Sequence, residues 1–213
     1  MNLKTRLTLA VVVMFVALVV IIHSLSFHHP ILHEISDFDY LKQPDDITCG
    51  PTSTTMVLNR YGKDVTLGEV EKETKTQWFK YDGKYIGMTS PEYIPIAMKH
   101  FGVPSRKIRG YVNRLKYYVG QDRPCIVLLR SGEYTWHYVV VIGYDHKYVF
   151  VADPGSGRRR KIKTAHFESS WKFVSDMKGK SLDAEWMNTV LRAAEVYPYT
   201  MIVPNKSIRD TYR

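Results

Sequence analysis

The sequence predicts an α+β domain, with helices in its first half and antiparallel strands in its second. Three observations carry this. Residues 43–62, QPDDITCGPTSTTMVLNRYG, run from a short polar loop into a helix. Residues 137–144, HYVVVIGY, are strongly β-branched, and 147–152 follow a tight turn at Asp145 and His146, so the pair reads as a hairpin. Between these stretches, Ile94, Ala97, Met98 and Phe101 recur at helical spacing and Gly102 ends the run.

In the 43–62 helix, Pro51 suits the first turn, where its missing N–H would have had no partner. Gly62 suits the far end, where positive φ is common. Met56, Val57, Leu58 and Tyr61 give it an apolar body, and the small residues 52–55 let other backbones approach. Thr66-Leu-Gly-Glu69 is a capping box that opens a short helix to about Thr74. Residues 77–87, with Trp78, Tyr81, Tyr85 and two glycines, read as an irregular loop. Ser90-Pro91 starts the next helix. A strand follows near 105–109, and Asn113 caps a helix that Gly120 ends. Residues 124–129 form a short apolar strand. Gly155 and Gly157 turn the chain into a strand at about 159–163, and 166–172 make a helical turn. Leu182, Trp186, Val190 and Ala193 share one helix face in a segment, 175–196, that reads as an insertion before a closing strand at 199–203.

The chain has 213 residues, 45% hydrophobic and 24% charged, enough for one large domain or two small ones. Its net charge of +9 favours anionic neighbours such as lipid headgroups or acidic wall polymers. No zinc-finger spacing, phosphate loop or RNA-binding signature accompanies that charge, so no nucleic acid is expected. The basic run Arg158, Arg159, Arg160, Lys161 and Lys163 reads as a solvated strand edge. Residues 1–6 form a cytoplasmic N-region whose Lys4 and Arg6 precede an apolar segment over 7–25. That segment is a transmembrane signal-anchor or a signal peptide cleaved after Ser26, and in either case the remainder crosses. Residues 26–38 form a linker, 39–204 the domain and 205–213 a polar tail. His23, His28, His29 and His33 lack the cysteine or carboxylate that would complete a metal spacing, so neither metal nor cofactor is expected. Two cysteines, Cys49 and Cys125, do not make a disulfide scaffold.

The chemistry centres on Cys49. It begins a helix, where unpaired N–H groups and the dipole favour a thiolate, the reactive form of the side chain. The alternative is a buried structural cysteine. The strand block supplies the partners that a catalytic cysteine needs. His137 opens the most hydrophobic strand, Asp153 ends its neighbour, and the hairpin can bring the two together. Gln43, in the loop before Cys49, can supply an oxyanion donor beside the Cys49 N–H. Taken singly, His137 also reads as a strand-end histidine, Asp153 as a turn initiator and Gln43 as a loop amide. Cys125 reads as core. His100, His146 and His166 lack matching partners, and Asp45 and Asp46 read as facing solvent.

The segments Gln43…Cys49-Gly-Pro…Met56-Val-Leu-Asn-Arg-Tyr-Gly62, His137-Tyr-Val-Val-Val-Ile-Gly-Tyr144 and Val151-Ala-Asp153-Pro-Gly together resemble the peptidase C39-like cysteine peptidases, in particular the stand-alone group. The resemblance runs over about 39–163. It implies a papain-like fold, with a helical lobe that carries the cysteine packed on an antiparallel sheet that carries the histidine and aspartate. It implies Cys49 as nucleophile, His137 as base, Asp153 as orienting group and Gln43 as oxyanion donor. The expected activity is a membrane-tethered, extracytoplasmic thiol peptidase acting on a secreted or envelope polypeptide, one that a neighbouring secretion system can deliver. Better-known relatives are fused to peptide exporters and cut after a double glycine; no exporter segment is present here, so that substrate is not carried over. Two other functions stay open: a degenerate domain that binds a secretion substrate, and a papain-like cell-wall amidase. Thr48-Cys49-Gly50 departs from the Asp-Cys-Ser usual in the amidases.

Overall fold

The computed structural model describes residues 9–19, 31–81, 84–132, 135–172, 189 and 196–211. Helix α1 covers 9–19, with its apolar side chains exposed. No helix among the described residues is long and apolar enough to cross a membrane. The rest of the apolar segment expected over 7–25, the cleavage site after Ser26 and the helix face of Leu182, Trp186, Val190 and Ala193 lie outside the described residues.

Helices α2 (Cys49–Arg60), α3 (Leu67–Thr74) and α4 (Tyr93–His100) make up the helical part, with a separate two-stranded sheet of β2 (Gln77–Tyr81) and β3 (Lys84–Met88) between α3 and α4. The large sheet joins β1 (His33–Glu34), β4 (Ser105–Arg109), β5 (Cys125–Arg130), β6 (Trp136–Tyr144), β7 (Tyr148–Asp153), β8 (Arg158–Lys163) and β9 (Thr200–Pro204). Its order is β4-β9-β5-β6-β7-β8, β1 pairs with β6, and every pairing is antiparallel. Helices α5 (Val112–Val119) and α6 (Thr164–Trp171) complete the fold.

The core lies where α2 meets the centre of the sheet. Met56, Val57 and Leu58 of α2 are fully buried, as are Val140 and Ile142 of β6. Strand β6 has β5 on one edge and β7 on the other, α2 and α5 both pack against it, and its residues from Tyr138 to Tyr144 are buried. The capping box at Thr66 is present: its hydroxyl accepts from the Glu69 N–H, and Glu69 accepts from the Thr66 N–H at 2.8 Å.

Three features depart from the sequence reading. Residues 77–87 form most of the β2–β3 hairpin instead of an irregular loop. Its register closes at Tyr81 opposite Lys84, leaving Asp82-Gly83 between the strands, a dipeptide that favours two-residue hairpins. The second departure is in the linker over 26–38, whose last residues are docked. His33 and Glu34 pair with β6, and Ile35 and Phe38 enter the core at 3% and 6% exposure. The polar tail is the third. Ile208 is buried, its N–H donates to the Asp122 carbonyl at 3.0 Å, and a 3₁₀ turn spans Ile208–Asp210. The tail is also held by the Asn205 N–H on the Pro104 carbonyl at 2.8 Å and by the Tyr61 hydroxyl on the Lys206 carbonyl at 2.7 Å.

Candidate active site

The loop before α2 is closed by Asp45. Its Oδ1 accepts from the Ile47 N–H, the Thr48 N–H and the Thr48 hydroxyl, each at 2.9 Å. Three donors on one oxygen fix the turn that delivers Cys49 to the first position of α2. Asp45 therefore faces its own loop, whereas Asp46 is exposed. Residue 50 has to be glycine, because a Cβ there would come within 2.7 Å of the Thr89 hydroxyl. The Thr89 carbonyl in turn accepts from the Tyr138 hydroxyl at 3.0 Å. The start of α2 is thus seated against a residue tied to β6, one position beyond His137.

His137 and Asp153 come from adjacent strands. The β6–β7 register pairs Val141 with Val151 and Val140 with Ala152. Continued by one residue, it sets Asp153 opposite Val139, so His137, two residues earlier, shares its face on the diagonal. The imidazole Nε2 and Asp153 Oδ1 are 2.6 Å apart. The same oxygen accepts from the Gly155 N–H at 2.9 Å, and Asp153 Oδ2 accepts from Arg160 Nη1 at 2.5 Å. Asp153 is only 3% exposed. Burial alone would raise its carboxyl, but the bonds from His137, Arg160 and Gly155 outweigh burial and hold it well below the usual carboxylate range.

The ring shows the converse. Burial disfavours the imidazolium, yet the hydrogen bonds to Asp153 and Cys49 and the charges of both push His137 up to about 9. With Nε2 on Asp153, Nδ1 is the nitrogen left for the Cys49 sulfur. Cys49 is partly exposed, while Cys125 is fully buried in β5 and burial pushes its thiol up to about 12. The structure thus joins His137 to Asp153 by a hydrogen bond across β6 and β7 and sets Cys49, at the start of α2, close enough to the ring to raise it.

Gln43 lies beside this group. Its backbone N–H donates to the Pro154 carbonyl at 2.9 Å, which binds the loop to the turn after Asp153. Its side-chain Nε2 donates to the Asp45 carbonyl at 2.5 Å, and its Oε1 is buried without a hydrogen-bond partner among the described residues. The other described histidines stay apart. His33 bonds Asp122 at 2.8 Å, His100 lies 3.8 Å from Glu73, and His146 and His166 are exposed. Among the described residues no group of His, Cys, Asp and Glu is arranged to hold a metal. Sequence reasoning overlooked Arg160, whose strand read as a solvated edge. Strand alternation puts Arg158 and Arg160 on the Asp153 face once β8 is placed beside β7.

Comparison with known proteins gives the family and the fold. The model of the Peptidase_C39 like family matches residues 35–178. The chain belongs to the peptidase C39-like family. No curated protein matches it significantly. Among solved structures it is similar to a double glycine motif protease from an AMS/PCAT transporter in complex with the leader peptide, at 20% identity and a TM-score of 0.52, covering 81% of this chain and 98% of that one. It is similar to a protein from Bacillus anthracis described as a C39-like peptidase, at 18% identity and a TM-score of 0.60, over 82% and 98% of the two chains. It is also similar to the peptidase domain of Streptococcus ComA, a bi-functional ABC transporter involved in a quorum-sensing pathway. That match has 25% identity and a TM-score of 0.50, over 63% and 92% of the chains. The C39-like chain therefore has the papain-like fold that the resemblance implied: a helical lobe on an antiparallel sheet.

Proposed function

We propose that the chain is a thiol peptidase, tethered by its N-terminal segment with the domain outside the cytoplasm, that cleaves a secreted or envelope polypeptide. The observation that carries this reading is the His137 ring, which bonds Asp153 at 2.6 Å and lies close enough to Cys49 for that thiol to raise it. Two further points support it: the family, and a structural neighbour solved with a leader peptide, which is a polypeptide ligand.

In this mechanism the Cys49 thiolate attacks the scissile carbonyl carbon while His137 carries the proton. The oxyanion receives the Cys49 N–H, which as a first-turn donor lacks an intrahelical acceptor, and the Gln43 Nε2 hydrogen that is not given to Asp45. The His137 imidazolium then protonates the leaving amine, the C–N bond breaks and a thioester remains on Cys49. A water molecule, deprotonated by His137, attacks the thioester, releasing the carboxylate product and restoring the thiolate–imidazolium pair. Asp153 holds Nε2 throughout, so Nδ1 is always the nitrogen that faces sulfur.

The test is a strain whose copy carries Cys49→Ala. At least one exported polypeptide accumulates at uncut length, and wild-type protein restores cleavage where His137→Ala protein does not. An exported proteome with identical termini in both strains contradicts a peptidase and leaves a binding domain.

A further inference from the structure

Asp153 is buried, and its two oxygens are served unequally. Oδ1 takes His137 Nε2 and the Gly155 N–H. Oδ2 takes a single partner among the described residues, Arg160 Nη1 at 2.5 Å. An aspartate rotates readily about its last torsion, since that torsion has broad wells. Without a donor on Oδ2, a carboxylate at 3% exposure would hold an unsatisfied charged oxygen, and turning toward solvent or taking a proton would relieve it. Either change alters the bond that orients the imidazole. The guanidinium pays little for its place, because the Arg160 side chain is 54% exposed and stays partly hydrated.

The other cations of β8 are placed differently. Arg159 makes a two-point contact with Glu34, at 2.5 and 2.8 Å, and lies over Phe150. Lys161 lies over Phe150. Arg158 is directly opposite Asp153 in the register and exposed like Arg160, but makes none of the carboxylate's hydrogen bonds among the described residues. Arg160 is opposite Val151, and its length spans the diagonal to Asp153. Asp153 thus sits between two cross-strand diagonals, His137 on β6 and Arg160 on β8.

We propose that Arg160 is a positioning residue of this site, holding the Asp153 carboxylate ionised and turned so that Oδ1 meets the His137 ring. The inference rests on the thiol-peptidase reading and deepens it. Arg160 touches neither Cys49 nor substrate in this role; it acts through Asp153. The titratable and charged groups facing Asp153 are His137 from β6, with Cys49 of α2 behind it, and Arg158 and Arg160 from β8. From the loop before α2, Lys42 passes over Gly157 in the turn after Asp153.

The experiment follows alkylation of Cys49 by iodoacetamide in the full-length protein from about pH 4 to about pH 9, which needs no substrate. It compares wild type, Arg160→Gln, Arg160→Lys, Asp153→Asn, His137→Ala and the Asp153→Asn/Arg160→Gln double variant, with thermal melts alongside. Arg160→Gln moves the acid limb of the profile upward by about one pH unit, because the buried carboxyl loses a cationic partner. Arg160→Lys keeps most of the wild-type profile. In the Asp153→Asn background Arg160→Gln adds nothing further, as expected of residues coupled through one group. An Arg160→Gln profile that superimposes on wild type overturns the proposal. So does a shift that persists undiminished in the Asp153→Asn background, since Arg160 then acts by another route. A wild-type profile identical to that of His137→Ala overturns the thiol-peptidase reading itself, and the Arg160 role with it.

Discussion

In the proposed peptidase, His137 is the residue through which the site acts as a unit, because it bonds Asp153 and lies beside Cys49. Cys49→Ala and His137→Ala each therefore nearly abolish cleavage of the polypeptide that accumulates in the Cys49→Ala strain, and the double variant is little worse than either. Asp153→Asn is milder, since it keeps a hydrogen-bonding group but admits the wrong tautomer. Gln43→Ala lowers kcat by about 10²–10³ with KM largely kept, through loss of an oxyanion donor. Equal kcat for Gln43→Ala and wild type would remove Gln43 from the site. The two thiols differ in the same way. Burial holds Cys125 protonated, pushed up to about 12, whereas Cys49 is partly exposed beside the His137 ring. Peptide mapping after brief alkylation near neutral pH finds label on Cys49 and none on Cys125. Cys49, His137 and Asp153 were legible as candidates because each residue type stands at an element end, in the order that cysteine chemistry needs. Arg160 was not, since alternation along β8 leaves open which strand it pairs with and which acid its guanidinium meets.

The decisive element is the start of α2. Sequence propensity accounts for its helix, Pro51 and all, but not for its seat, which depends on Thr89 arriving from a distant loop. Gly50→Ala tests that seat. The added methyl meets the Thr89 hydroxyl at 2.7 Å, and Thr89 is held by the Tyr138 hydroxyl on its carbonyl and by Thr76 on its own hydroxyl. The variant loses about 1–3 kcal/mol in urea unfolding, as overpacked sites do, and Cys49 alkylation slows as the helix start shifts. Unchanged stability and alkylation would show that the contact gives way without consequence. The β2–β3 hairpin carries the opposite lesson. Its strands were hidden by aromatic and glycine residues that also suit loops, although Asp82-Gly83 was visible in the sequence as a turn signal.

For the whole molecule, the termini of the domain are stitched together at Asp122, which bonds His33 near the start and pairs with Arg209 near the end. Hydrophobic pattern could not reveal that joint, because it depends on single polar residues far apart in the chain. Stability follows the site's charges. The folded value of His137, about 9, lies above the ordinary 6.5, so its contribution is complete below about pH 6.5 and is lost as pH rises through about 9. The depressed Asp153 acts in the other direction: its contribution is present above the ordinary carboxylate range and is lost only in stronger acid. The gap in unfolding free energy between wild type and His137→Gln therefore narrows from about pH 6 to about pH 10, by at most about 3 kcal/mol. A constant gap would contradict the coupling. The most direct measurement of the central claim is the titration of the His137 ring by NMR in the full-length protein. The expected result is a ring still protonated near neutral pH that titrates near 9, and a lower value in Cys49→Ala. A ring that titrates at or below about 6.5 in both proteins would contradict an imidazole engaged by Asp153 and Cys49.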